Sequence, residues 1–271
     1  MNRIDAKFAE LRGRGEAALI PFISAGDPDL ATTLKIMRAL DQSGADSIEL
    51  GVPFSDPMAD GPTIQRASER ALRGGTSLSD VLGVVRDFRR YSDIPLILFG
   101  YYNPFFSYGT RRLTLEAKAA GVDGILCVDL PPEESGELKR WTEAQGLNTI
   151  FLLGPTSNAE RIRLVAREGQ GFIYYVSVTG VTGARGRFED RLERLVARVR
   201  RYTSLPIGVG FGVSTPAQAA WIASFADAVV VGSALINLIE RQTRNQEKVK
   251  QGAAFMAHLK RAMKQAKKIS T

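Results

Sequence analysis

DSIELGVPFSDPMADGP, residues 46–62, decides how this chain is read. DSIEL (46–50) is short, apolar and strand-like, yet it carries Glu49 close to its end. The residues that follow bring three prolines (Pro53, Pro57, Pro62) and two more carboxylates, Asp56 and Asp60. Proline fixes φ and lacks an amide donor, so no regular element runs through this stretch. A core strand therefore hands over to a stiffened acidic loop, which raises the question of what those carboxylates are for.

The same kind of strand recurs on both sides. Strand-like runs are AALIPFIS (17–24), DSIEL (46–50), PLILFG (95–100), DGILCVD (123–129), NTIFLLG (148–154), GFIYYVS (171–177), LPIGVGF (205–211) and DAVVVG (227–232). Their length and apolar density suit parallel strands covered on both faces. Between them lie amphipathic segments such as DLATTLKIMRALDQSG (29–44), TLEAKAAG (114–121), PEESGELKRWTEAQG (132–146) and SNAERIRLVAREG (157–169), several ending in glycine as helices do. Eight β/α units without a linker or composition break predict one domain over residues 1–271, a single (β/α)8 TIM barrel. The patterns at 2–13 and 246–268 add an extra N-terminal helix and an extra C-terminal helix. An open doubly wound sheet with one strand miscounted is the alternative.

Composition narrows the function classes. The chain has 271 residues, 44% hydrophobic and 24% charged, enough for a sizeable core. No apolar run approaches the ~20 residues that span a bilayer, and MNRIDAKFAELRGRG lacks the pattern of a secretory signal. One cysteine, Cys127, excludes an internal disulfide and fits a reducing cytoplasm. There is no Cys/His cluster for a metal, and with His258 as the single histidine, acid/base work falls to carboxylates, lysine or tyrosine. The net charge of +7 is concentrated from Arg241 onward, where nine Lys/Arg face only Glu247. This reads as the solvated face of an amphipathic helix rather than a nucleic-acid surface.

In such a barrel the active site lies at the C-terminal strand ends. Glu49 ends the second strand and Asp60 follows in its loop. Each has a plain alternative, a salt-bridged rim residue and a turn former before Gly61, but paired carboxylates beside apolar walls suit acid/base catalysis. GVGFGVSTP (208–216) and VGSA (231–234) put glycines and hydroxyls where the last two strands meet their helices. That is the usual phosphate site of barrels, although helix capping would use the same residues. SVTGVTGARGRFED (177–190) is either a lid over substrate or a surface connection.

Taken together, ELGVPFSDPMADGPTIQ (49–65), PFISAGDP (21–28), YYVSVTGVTG (174–183), GFGVSTPAQ (210–218) and VGSALI (231–236) resemble the tryptophan synthase α-subunit family over essentially the whole chain. The resemblance implies cleavage of indole-3-glycerol phosphate to indole and glyceraldehyde 3-phosphate. It implies Glu49 as acid/base, Asp60 as the second carboxylate and Tyr174 as the active-site tyrosine, with Tyr175 pointing away by strand alternation. Phe22, Leu126 and Phe211 are expected around the indole, and Gly183, Gly212, Gly232 and Ser233 around the phosphate. Pro53, Asp56, Pro57, Met58, Asn103 and Pro104 are expected to face a β subunit in an α2β2 heterotetramer. No metal and no cofactor are implied in this chain; pyridoxal phosphate belongs to the β subunit. A stand-alone lyase and a non-catalytic activator of a β subunit remain the alternatives.

Overall fold

The computed structural model describes residues 1–176, 185–210 and 212–266. Eight strands run in chain order around a closed parallel barrel: β1 (Ala18–Ser24), β2 (Ile48–Gly51), β3 (Leu96–Gly100), β4 (Gly124–Cys127), β5 (Asn148–Leu153), β6 (Ile173–Val176), β7 (Ile207–Gly210) and β8 (Ala228–Val231). Closure is by β1 against β8, with Ala18 opposite Ala228 and Pro21 opposite Val231. The eight-unit reading therefore holds, and the open sheet does not.

Strand alternation sorts the core into two layers. Leu19, Ile48, Leu50, Leu98, Ile125, Val209 and Val229 face the surrounding helices. Ile20, Ile97, Leu126, Ile150, Phe172, Tyr174 and Val230 fill the lumen. The N-terminal helix Arg3–Gly13 closes the lumen from below with Ile4, Phe8 and Leu11, and Phe8 meets Phe172 at 5.5 Å. Burying each such side chain contributes about 1.5–3 kcal/mol, which explains why an extra helix sits there.

Among the described residues two helices exceed the predicted set, because β2 and β3 are each followed by two. Pro62–Arg73 and Leu78–Phe88 both precede β3, and Tyr102–Tyr108 precedes the helix Thr110–Ala120. The first starts with Gly61 and proline at its first position; the second starts on a reciprocal Ser77–Asp80 capping box. The extra C-terminal helix is Asn245–Gln265. Its charged residues are not all solvated: Lys260 is buried and reaches Asp46 at 2.6 Å.

One arrangement recurs at the base of the barrel. Asp46 accepts the N–H of Leu19 on β1 at 2.7 Å and returns its own N–H to the Leu19 carbonyl at 2.9 Å. Asp123 does the same with Leu96 on β3, Gln170 with Thr149 on β5, and Asp227 with Ile207 on β7. Each carboxylate also holds a cation: Lys260 on Asp46, Arg89 on Asp123 and Arg200 on Asp227. The cavity opens at the opposite end of the barrel.

Candidate active site

A cavity of about 500 Å³ opens at the C-terminal strand ends. Its apolar wall comes from Phe22, Phe99, Val128, Leu152, Tyr174 and Val176, while Asp60, Gly212, Ser214, Gly232 and Ser233 supply the polar side. The aromatic part depends on glycines of neighbouring strands. A Cβ on Gly210 would stand 2.2 Å from Oη of Tyr174, and one on Gly208 would stand 3.1 Å from the Phe172 ring. Both glycines therefore make room for rings, that of Phe172 just ahead of β6 and that of Tyr174 within it, not for a phosphate. Gly212, by contrast, lines the cavity with φ +80, a left-handed conformation that suits glycine.

Glu49 lies on the lumen side of β2, level with Phe22 on one side and Ile97 on the other. It is fully buried, and neither carboxyl oxygen has a hydrogen-bond partner among the described residues. The reason it does not line the cavity is steric. Gly51, the next lumen-facing position of β2, has no side chain, and the Phe22 ring fills that space, 2.6 Å from where a Cβ would be. Phe22 packs edge-on against Phe99 at 4.9 Å, so two rings roof the carboxyl. Burial without a partner pushes the Glu49 carboxyl well above the usual carboxylate range.

Asp60 lines the cavity from the loop after β2. Burial pushes its carboxyl up to about 6, against the opposing pull of the Tyr101 hydroxyl. Tyr174 points into the cavity from β6, and its phenol is held well above its ordinary value by burial, then by the charges of Glu49 and Asp60. Tyr175 turns outward into the layer beneath the helices, as alternation requires. These three groups thus converge: a neutral-leaning carboxyl on the floor, a carboxyl that ionises near neutrality on the wall, and a protonated phenol.

At the other end, the helix Ser233–Glu240 starts at the cavity with no side-chain cap on its first turn. Unpaired N–H groups of a helix start attract an anion. Behind it, Arg70 pairs with Asp27 at 2.8 Å and Glu240 at 2.7 Å, Arg66 pairs with Glu240 at 3.1 Å, and Thr63 bonds Asn237 at 3.1 Å. The helix that follows the Asp60 loop is thereby fastened to the helix that faces the polar end.

Several expected residues sit elsewhere. Leu126 does not reach the cavity: it is fully buried one lumen layer lower, and Val128, two residues on, takes the place assigned to it. Pro53 is buried and offers no surface to a partner. Asn103 and Pro104 lie in the helix Tyr102–Tyr108 rather than in a loop. Gly183 and Phe211 lie outside the described residues. Met58 and Asp56 are exposed, Met58 to 85%, and Phe106, missed in the sequence, joins them at 57%. Tyr101 was also missed; only its place directly after a strand end pointed to it. No group of three or more His, Cys, Asp or Glu able to hold a metal occurs among the described residues.

Known proteins resemble this chain over nearly its whole length. The family model described as tryptophan synthase alpha chain matches residues 8–268. The tryptophan synthase alpha chain of Geobacter sp. strain M21 is 54% identical over 263 residues, covering 97% of this chain and 98% of that one. That of Geobacter sulfurreducens is 54% identical, covering 97% and 99%. Among solved structures, tryptophan synthase subunit alpha from Legionella pneumophila superposes with a TM-score of 0.91 at 41% identity, covering 97% of this chain and 99% of that one. A chain of Mycobacterium tuberculosis tryptophan synthase superposes with a TM-score of 0.87 at 38% identity, covering 97% and 98%. With its closed barrel, its paired carboxylates and a family match running through nearly every residue, the chain belongs to the tryptophan synthase alpha chain family.

Proposed function

We propose that this chain is a carbon–carbon lyase that cleaves indole-3-glycerol phosphate to indole and glyceraldehyde 3-phosphate, the α reaction of tryptophan synthesis. The observation that carries the assignment to residues is the contrast between its two carboxyls. Glu49 is kept neutral by burial, and Asp60 ionises near 6, within one apolar cavity. The reaction needs that division of labour. A protonated Glu49 donates its proton to indole C3, while ionised Asp60 accepts the ring N–H and stabilises the positive charge developing there. Glu49, now a carboxylate, takes the proton of the glycerol hydroxyl. The carbon–carbon bond breaks, its electrons restore the aromatic ring, and the hydroxyl carbon becomes the aldehyde.

The Phe22–Phe99 roof requires Glu49 to rotate from beneath the rings to reach C3. The apolar wall suits the indole ring, and the start of Ser233–Glu240 with Gly212 and Gly232 suits the phosphate. Tyr174, its phenol kept protonated by burial, lines the same cavity as Asp60 and feels the charge of both carboxyls. Every proton in this scheme passes through side chains of this chain, which is why the reading places no cofactor in it and leaves pyridoxal phosphate to the β subunit. The exposed face formed by Asp56, Met58, Asn103 and Phe106 suits docking of that β subunit in an α2β2 assembly in the cytoplasm. No helix among the described residues is long and apolar enough to cross a membrane.

The test is indole release from indole-3-glycerol phosphate by the purified chain, with and without a tryptophan synthase β subunit. Release that rises on adding the β subunit is expected. Equal release in both arms would leave a stand-alone lyase, and none in either would leave a non-catalytic activator.

A further inference from the structure

We infer that Tyr101 is the positioning residue for Asp60, an assignment that rests on the function proposed above. Tyr101 directly follows β3, is buried, and packs its ring against Phe54 with centroids 5.4 Å apart. Its Oη accepts the N–H of Ala59 at 3.0 Å. A phenol that accepts there still has one proton to donate, and the carboxyl it faces is that of Asp60. One oxygen atom therefore addresses two consecutive residues of the loop, the backbone of the first and the carboxylate of the second.

The rest of the loop makes this contact decisive. Asp60 N–H bonds the Pro57 carbonyl at 3.0 Å, Met58 N–H bonds the Asp56 carbonyl at 2.8 Å, and Gln65 Nε2 bonds the Asp60 carbonyl at 2.9 Å. All of these stay within residues 55–65. Among the described residues, the hydrogen bonds that tie residues 55–61 to the barrel wall are those of the Tyr101 hydroxyl, with Ala59 and with Asp60. Without them the loop keeps its internal shape but loses its anchor.

Tyr101 also immediately precedes the helix Tyr102–Tyr108, whose first N–H is held by Asp129 at 2.7 Å. That helix exposes Asn103 and Phe106, and the loop anchored on Tyr101 exposes Met58. A partner seated on this face presses on the residue next to Tyr101, and through its hydroxyl on Asp60.

Tyr101→Phe tests the assignment, because it keeps the ring and its stack on Phe54 and removes only Oη. We expect kcat for indole release to fall ~10–100-fold, the cost of a misplaced catalytic group, with KM within about threefold of the parent. The acidic limb of the kcat profile should move to higher pH, since a donor to the Asp60 carboxylate is gone. The Asp60 carboxyl, followed by carbon-13 NMR, should titrate at correspondingly higher pH. Phe54→Leu, which loosens the stack but leaves Oη in place, should keep the parent's limb. Unchanged kcat and titration in Tyr101→Phe overturns the assignment. So does a fall in kcat with an unmoved limb, which would make Tyr101 part of the packing alone. If the parent itself releases no indole, the functional reading fails, and the Asp60 titration still decides whether Tyr101 governs that carboxyl.

Discussion

Replacing Gly51 with alanine sets a methyl carbon 2.6 Å from Cζ of Phe22 and 2.9 Å from its Cε2. Carbon atoms rest against each other at ~3.5–4.0 Å, so the ring must retreat by roughly 1 Å. The Ile23 carbonyl, 3.3 Å from the new methyl, closes one side, and Phe99 already stands edge-on to the ring at 4.9 Å. Retreat therefore carries Phe22 into the cavity and opens the roof over Glu49. Overpacking of this size should cost about 1–3 kcal/mol of stability. Displacing a ring that shapes the substrate site should lower kcat/KM by ~10–100-fold. Urea unfolding and steady-state indole release measure the two effects. The cause is isolated by adding Phe22→Leu, which removes the ring atoms that clash. The double variant should recover stability, with a coupling of at least ~1 kcal/mol in the cycle. A Gly51→Ala chain as stable as the parent with unchanged kcat/KM would refute the roof, and so would strictly additive effects.

Three further outcomes follow from the same geometry. Activity should fall as pH drops through about 6, because Asp60 must be ionised to accept the ring N–H and its carboxyl titrates there; a pH series of kcat checks it. Glu49→Gln should lower kcat by ~10²–10⁴ or more while raising stability at pH 8. The raised Glu49 carboxyl stabilises the fold below its unfolded value of 4.5 and loses that contribution as pH rises toward its folded value, so parent and variant should converge in urea unfolding near pH 4. Gly212→Val should raise KM more than it lowers kcat, since φ at 212 is +80 and the residue borders the polar end rather than the reacting atoms; substrate titration separates the two.

Sequence reading captured what is written locally. β-branched runs such as AVVV and the alternation of Tyr174 with Tyr175 announce strands and their faces, and Glu49 stands out as a carboxyl in an apolar run. The proline-rich loop drew attention to Asp60, but also hid the helix start at Gly61–Pro62, because a loop reading was carried across it. The glycines of GVGFG (208–212) carry two different meanings that look alike in sequence. Gly208 and Gly210 yield space to rings from the neighbouring strand, which only register reveals, whereas Gly212 answers to its own backbone. Leu126 and Val128 differ by one lumen layer, and strand ends alone do not say which layer reaches the cavity. Tyr101 and the Arg70–Glu240 fastening depend on contacts across 42 and 170 positions, where no local pattern exists.

The base arrangement divides the barrel into four staves. Each reciprocal tie joins an odd strand to the residue just ahead of the next even one, so β1 belongs with β2, β3 with β4, β5 with β6 and β7 with β8. A backbone cut in the turn after β4, near Glu133–Glu134, leaves every tie whole within one fragment or the other. A cut after β5, near Thr156–Ser157, strands Thr149 in one piece and Gln170 in the other. Two fragments made the first way should reassemble into a closed barrel more readily than two made the second way, although both cuts fall in connections between a strand and its helix. In that sense the circle is built of hinged pairs, and its seams are not equivalent.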